Sequence, residues 1–154
     1  MCVFVLSFGV VVFVGAPYLP TFNKQIEDAL DMLNLQPDQH LTELGSGDGR
    51  VLIAAAKRGV ASTGYELNLL LVIYSWLATR RYRKLVTVRW ANFWREPLPT
   101  TDAVFVFLLD KYMKRLDKKI IQEQARPLKL VSFTFKVPAK KPIKTKSGLY
   151  LYQY

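Results

Sequence analysis

The chain has almost no cysteine. Of its 154 residues only Cys2 is one, so neither an intramolecular disulfide nor a cysteine-rich metal site can form. Histidine is nearly absent as well: His40, the single copy, lacks the partners a metal site needs and reads as a surface or strand-start residue. Charge is missing altogether before Lys24, and no basic residue precedes the apolar run at residues 3–14, which disfavours a cleaved signal peptide. The run also falls short of the ~20 apolar residues of a full membrane span, and Pro17 and Pro20 follow it closely. Residues 1–16 are therefore expected to form an apolar helix serving as a membrane anchor, with a buried or interfacial segment as the rival, and residues 17–154 to form one domain.

Disorder is excluded by a composition that is 51% hydrophobic and 13% aromatic. Acidic residues become scarce toward the end. Up to Asn68 four Lys or Arg stand against seven Asp or Glu; beyond it eighteen stand against five, giving halves of −3 and +13 within a net charge of +10. Such asymmetry favours an anionic partner, be it phospholipid headgroups, nucleic acid or an acidic protein, although a solvated face has the same composition. The basic excess after residue 23 places the domain on the cytoplasmic or equivalent side of a membrane.

Periodicity outlines the domain. Ile26, Ala29, Leu30 and Leu33 recur at helical spacing over residues 24–34, with Asn23 as a plausible N-cap. From His40 onward short apolar runs alternate with helical stretches, the pattern of βα units and a mostly parallel sheet. Strands are predicted at 41–44, 62–66, 86–90, 103–109 and 129–135, and helices at 50–58, 70–81 and 112–124. Residues 148–154 read as a terminal strand, antiparallel to a short strand near Ile143. Residues 136–146 hold five lysines and two prolines and should form an exposed basic loop or edge.

The chemistry sits in Glu43-Leu44-Gly45-Ser46-Gly47-Asp48-Gly49-Arg50, directly after a predicted strand and at the opening of a predicted helix. Glycines at 45, 47 and 49 allow a tight turn with positive φ and a close approach of the backbone to a ligand. The next strand ends at Glu66, where a carboxylate can accept hydrogen bonds from the hydroxyls of a ribose. A dinucleotide site would carry G-x-G-x-x-G; here position 50 is Arg, and Glu43 stands two residues before the first glycine. That carboxylate suits a cationic amino group better than a pyrophosphate, so S-adenosylmethionine fits better than NAD.

The E-L-G-S-G-D-G-R block and the Y-E-L-N segment at Tyr65–Asn68 resemble the class I S-adenosylmethionine-dependent methyltransferases. Among these the chain is most similar to the membrane-anchored protein-lysine methyltransferases that modify adenine nucleotide translocase or the c-subunit of ATP synthase in mitochondria, and to their prokaryotic relatives. Ala16-Pro17-Tyr18-Leu19-Pro20-Thr21 and Asn92-Phe93-Trp94 extend the likeness to nearly the whole chain. The resemblance implies a seven-stranded Rossmann-like sheet with an antiparallel C-terminal strand, S-adenosylmethionine as cofactor and a lysine acceptor on a membrane protein. It also implies a cofactor site built from Glu43, Gly45, Ser46, Gly47, Asp48, Gly49, Glu66, Leu67, Asn92 and Tyr18. The chain departs from the family pattern at Asn92, where Asp is usual, and at Leu109-Asp110-Lys111, where relatives tend to have a proline.

Methyl transfer from a sulfonium needs alignment more than covalent help. Asp110, at the tip of the fourth strand, is the candidate to orient the acceptor amine or take its proton; as a helix N-cap it would have a purely structural role. Tyr112, Trp94 and Tyr18 are candidates to wall the cationic methyl centre, or else ordinary packing. Arg80-Arg81-Tyr82-Arg83-Lys84 mixes cations and aromatics as nucleic-acid binders do, but lies where a helix C-terminus favours cations anyway. Alternative outcomes are an RNA or small-molecule acceptor, or a nucleoside-binding module without turnover.

Overall fold

The computed structural model describes residues 21–124 and 126–154. The expected N-terminal apolar helix, Pro17, Tyr18 and Pro20 lie outside them. Twelve elements follow in order: α1 (Asn23–Leu33), β1 (His40–Leu44), α2 (Arg50–Lys57), β2 (Ala61–Glu66), α3 (Leu69–Thr79), a 3₁₀ turn (Arg80–Tyr82), β3 (Val86–Trp90), β4 (Ala103–Val106), α4 (Asp110–Glu123), β5 (Lys129–Phe133), β6 (Lys144–Lys146) and β7 (Leu149–Gln153).

The strands form one seven-stranded sheet in the order β3-β2-β1-β4-β5-β7-β6. The first five run parallel, and β7 pairs antiparallel with both β5 and β6. The predicted terminal hairpin is present, with Ile143 donating its N–H to Leu151 O just before β6 begins. From β1 the chain steps outward to β2 and β3, then returns to β4 on the other side. That reversal opens a crevice at the carboxyl ends of β1 and β4, where open α/β sheets bind ligands.

Helices cover both faces. On one, Ile26, Leu30 and Leu33 of α1 and Val51 and Ala55 of α2 pack on Leu41, Phe105 and Val131. On the other, Met113, Leu116 and Ile120 of α4 pack on Val104, Val106 and Leu130. A smaller cluster joins Leu52 and Ala56 of α2 to Val72 of α3 and to Val86 and Val88 of β3.

Several expected boundaries shift for physical reasons. β4 ends at Val106 instead of residue 109, because its last pairings are with Leu44 and Ser132 and the chain then turns away. β5 stops at Phe133, since Thr134 takes a φ of +71°, outside any strand conformation. The caps also move. Phe22, not Asn23, caps α1, and Leu109, not Asp110, caps α4; neither makes a side-chain cap bond. Asp110 instead occupies the first turn of α4, where its charge meets the positive helix end.

Gly64, in the middle of β2, sets the distance between the sheet and the loop after β1. A Cβ there would lie 2.6 Å from Ser46 Cβ and 2.6 Å from Leu52 Cδ1. Both neighbours are buried, so the added methyl has no room. Gly64→Ala is expected to destabilise the fold by roughly 1–3 kcal/mol, the usual cost of overpacking, measured by urea unfolding against the parent chain.

Candidate functional site

The glycine loop is moulded by β2. Gly45 N–H and Ser46 N–H both donate to Tyr65 O, each at 2.9 Å, and Gly49 N–H closes the turn on Ser46 O at 2.9 Å. Gly45, Gly47 and Gly49 have φ of +89°, +53° and +80°, the left-handed region that side-chain-bearing residues avoid. Two of these glycines are needed for different reasons. A Cβ on Gly49 would lie 2.3 Å from Ser75 Oγ of α3, so that glycine allows two helices to touch; a Cβ on Gly45 would meet no atom within 4 Å and would project into open space.

Glu66, at the tip of β2, holds the arrangement together. Its Oε2 accepts Gly47 N–H at 2.9 Å, and its Oε1 accepts Leu67 N–H and Asn68 N–H, each at 2.8 Å. A carboxylate offers about four acceptor positions. Three are filled by main chain, which leaves one open on Oε2. Leu67 is placed as expected beside Glu66, and its carbonyl accepts Trp90 Nε1–H at 3.0 Å.

Glu43 is the electrostatic extreme of the site. It is buried on β1, and its Oε2 has no hydrogen-bond partner. Burial foremost, then the charges of Asp48 and Glu66, push its carboxyl well above the usual carboxylate range, against a smaller opposing pull from Arg50. Ser46 Oγ is also buried without a partner. Asp48 lies in the same loop with its carboxylate engaged by Arg50: Nε reaches Oδ1 at 3.0 Å and Nη2 reaches Oδ2 at 2.7 Å. The guanidinium extends on to Thr21 O at 3.1 Å and so braces the segment that enters α1.

Across the crevice, Asn92 Oδ1 accepts Trp94 N–H at 3.0 Å, and Ala91 N–H donates to Glu66 O at 3.0 Å, which ties the end of β3 to the end of β2. Trp94 packs against Phe93 with ring centres 4.6 Å apart and against Tyr112 at 5.9 Å. Arg115 lies over the Trp94 ring at 4.3 Å. Asp110 is exposed two residues before Tyr112. The structure thus brings Glu43, Gly45, Ser46, Gly47, Asp48, Gly49, Glu66 and Leu67 into one loop cluster, and Trp94 and Tyr112 into another. Tyr18 lies outside the described residues.

Two participants carry no signal within the motif. Gly64 admits the loop, and the clue is a glycine inside a strand pattern, which marks close backbone approach. Trp90 borders Leu67 from the end of β3, a place that follows only from strand order. His40, far from the loop at the start of β1, is half-buried between Thr101 Oγ1 at 3.1 Å and Thr63 Oγ1 at 3.0 Å. Among the described residues no group of three or more His, Cys, Asp or Glu is placed to hold a metal ion.

The sequence profile of the ANTKMT methyltransferase domain matches residues 43–144, from the end of β1 to the first residue of β6. The chain belongs to that family. The likeness read from the glycine loop and the Glu66 segment therefore holds. Among curated relatives, the lysine N-methyltransferase of the ATP synthase c-subunit from Homo sapiens is 33% identical over 124 residues, covering 79% of this chain and 53% of its own length. The adenine nucleotide translocase lysine N-methyltransferase of Mus musculus is 31% identical over 132 residues, covering 82% of this chain and 56% of its own length. The chain spans about half the length of these family members. Among solved structures, an RNA methyltransferase from Salinibacter ruber in complex with S-adenosyl-L-homocysteine aligns with a TM-score of 0.80 at 23% identity, covering 88% of this chain and 92% of that one. At that identity the likeness is one of fold: a Rossmann-like methyltransferase sheet, mostly parallel, closed by antiparallel C-terminal strands.

A titration follows from Glu43. Its folded-state pKa lies above the unfolded value of ~4.3, so between the two the folded chain binds the extra proton and stability falls as pH rises. Glu43→Gln should remove that slope and be the more stable variant above the window. Thermal unfolding at a series of pH values checks it; parallel curves for both proteins would show that Glu43 does not carry the shift.

Proposed function

We propose that this chain transfers a methyl group from S-adenosylmethionine to a lysine side chain of a membrane or membrane-proximal protein. The observation that carries the reading is the buried Glu43 carboxyl, whose Oε2 has no hydrogen-bond partner, beside a loop of three positive-φ glycines, in a member of a methyltransferase family. A buried carboxyl oxygen without a partner suits a cationic ligand group. The ammonium of a methionine moiety is such a group; a pyrophosphate is the opposite.

On this reading Glu43, Ser46 and the backbone of Gly45, Gly47 and Gly49 hold the amino-acid end. The open position of Glu66 Oε2 takes one ribose hydroxyl, with Leu67, Asn92 and Tyr18 about the nucleoside. Asn92 keeps an acceptor oxygen where the family usually has a carboxylate. Asp48 contributes through the shape it imposes with Arg50.

When bound, S-adenosylmethionine supplies a methyl carbon made electrophilic by its sulfonium sulfur. The lysine nitrogen would have to arrive neutral with its lone pair toward that carbon, and the methylated ammonium product would then have to lose a proton. Asp110, exposed on the first turn of α4, orients the amine and accepts that proton. Tyr112 and Trp94 wall the path of the acceptor. Residues 1–16 act as the membrane anchor, and the basic second half keeps the domain against the anionic leaflet on the cytoplasmic or matrix-equivalent side. Among the described residues no helix is long and apolar enough to cross a membrane.

Incubation with methyl-labelled S-adenosylmethionine and separated membrane-protein, soluble-protein and RNA fractions tests the acceptor. Label is expected in membrane protein, recovered as methyl-lysine after hydrolysis; label confined to RNA overturns the proposal in favour of the nucleic-acid acceptor that the +13 half allows. S-adenosylhomocysteine should form above background and vanish in Gly47→Arg, and its absence in the parent chain would leave a non-catalytic module. Glu66→Lys should weaken S-adenosylmethionine binding about tenfold or more by calorimetry, the scale of a lost hydrogen bond to a charged group.

A further inference from the structure

Helix α3 is built inside out. Its buried stripe is Val72, Ser75 and Thr79, of which two are polar. Ser75 faces inward because it packs where Gly49 leaves space, and Thr79 returns its hydroxyl to Ser75 O at 2.7 Å. The apolar residues point the other way. Leu69, Leu70, Ile73, Tyr74, Trp76 and Leu77 are exposed, Tyr74 at 59% and Leu77 at 64%, and Trp90 beside them at 60%. A soluble domain does not ordinarily leave an apolar arc along a whole helix open to water.

Cations continue this arc without interruption. Arg80, Arg81, Arg83 and Lys84 follow α3 directly, are exposed, and enter no ion pair among the described residues. From residue 69 to residue 95 there are six Lys or Arg and no Asp or Glu. An apolar face bearing Trp and Tyr, with clustered cations and no carboxylate, is the composition of a helix that lies in the interface of an anionic bilayer.

We infer that the outer face of α3, with Trp90 and the Arg80–Lys84 cluster, is a docking surface for an anionic lipid bilayer. Charge complementarity selects this occupant. Residues 1–23 of the chain are apolar enough to cover α3 but carry no charge to answer four cations. A second copy, related by a two-fold axis, would set the basic clusters of the two chains against each other or leave them unmatched. A bilayer answers both halves of the surface, taking the apolar arc below the headgroups and the cations among the phosphates. Because α3 starts at Leu69, three residues after Glu66, this orientation sets the mouth of the crevice at the level of the headgroups. The surface is independent of the methyl-transfer reading, since a chain without turnover would still carry it.

Site-specific labelling of the full chain tests the inference apart from any anchoring by residues 1–16. In a Cys2→Ser background, an environment-sensitive dye is placed at Leu77→Cys or, as control, at Lys118→Cys on α4 across the sheet. The probes are vesicles of phosphatidylcholine with or without phosphatidylserine, and spin-labelled lipid. On phosphatidylserine vesicles the dye at 77 is expected to become shielded from iodide and quenched by the spin label, while the dye at 118 stays open. Combining Arg80→Gln, Arg81→Gln, Arg83→Gln and Lys84→Gln should raise the lipid concentration for half-shielding by about tenfold or more. Three results would overturn it: shielding at 77 before vesicles are added, which points to residues 1–20 or a second copy; a dye at 77 still open on vesicles that have bound the chain; or shielding only when the vesicles carry a membrane protein.

Discussion

The Glu66 carboxylate is the constraint on which the rest of the site depends. One oxygen holds Gly47 of the loop after β1, and the other holds Leu67 and Asn68 at the start of the turn into α3. Two strand ends and the entry to a helix are thereby referred to a single group, and charge-assisted bonds of this kind are about twice as strong as neutral ones. The same carboxylate lies where a ligand would meet the sheet, so the group that shapes the crevice also lines it. Fold and site share one part, and the left-handed glycines of the loop are tolerable because that part and Tyr65 O fix where the loop must go.

Around this anchor the charges are sorted by environment. Glu43 is buried with its Oε2 unpartnered, Asp48 is paired with Arg50 at the rim, and Glu66 accepts three main-chain N–H groups. Three carboxylates in one loop cluster therefore have three different environments: one is buried with an oxygen left over, one is paired with a guanidinium, one is held by main chain. The acidic first half thus builds the loop side of the crevice, while the second half supplies Trp94 and Tyr112 across it, with Arg115 over the Trp94 ring.

α3 links the two halves. Its first turn is capped by Asn68, whose side chain accepts from Leu70 and Leu71 N–H at 3.0 and 3.4 Å, directly after the Glu66 clamp. Its last turn delivers the basic cluster. A helix so placed transmits the orientation of the crevice to whatever its outer face rests on, because the distance from clamp to cluster is one rigid element.

Much of this was legible from local pattern. Alternating apolar runs and helical spacings place α1 to α4 and β1 to β5 within a few residues, and a glycine loop after a strand, with an acid at the next strand tip, marks the crevice. Those features are set by side-chain period and backbone permissiveness, which a short stretch of chain contains in full. Tertiary structure alone decided which lone pairs of Glu66 remain open, that Asp48 is engaged by Arg50, and that Leu109 and not Asp110 caps α4. It decided also that α3 turns Ser75 and Thr79 inward, since a helix apolar on nearly every face carries no periodic signal for its inner side. That choice came from the space left at Gly49, a contact between residues 26 positions apart, and such long-range sterics are what a sequence read locally does not contain.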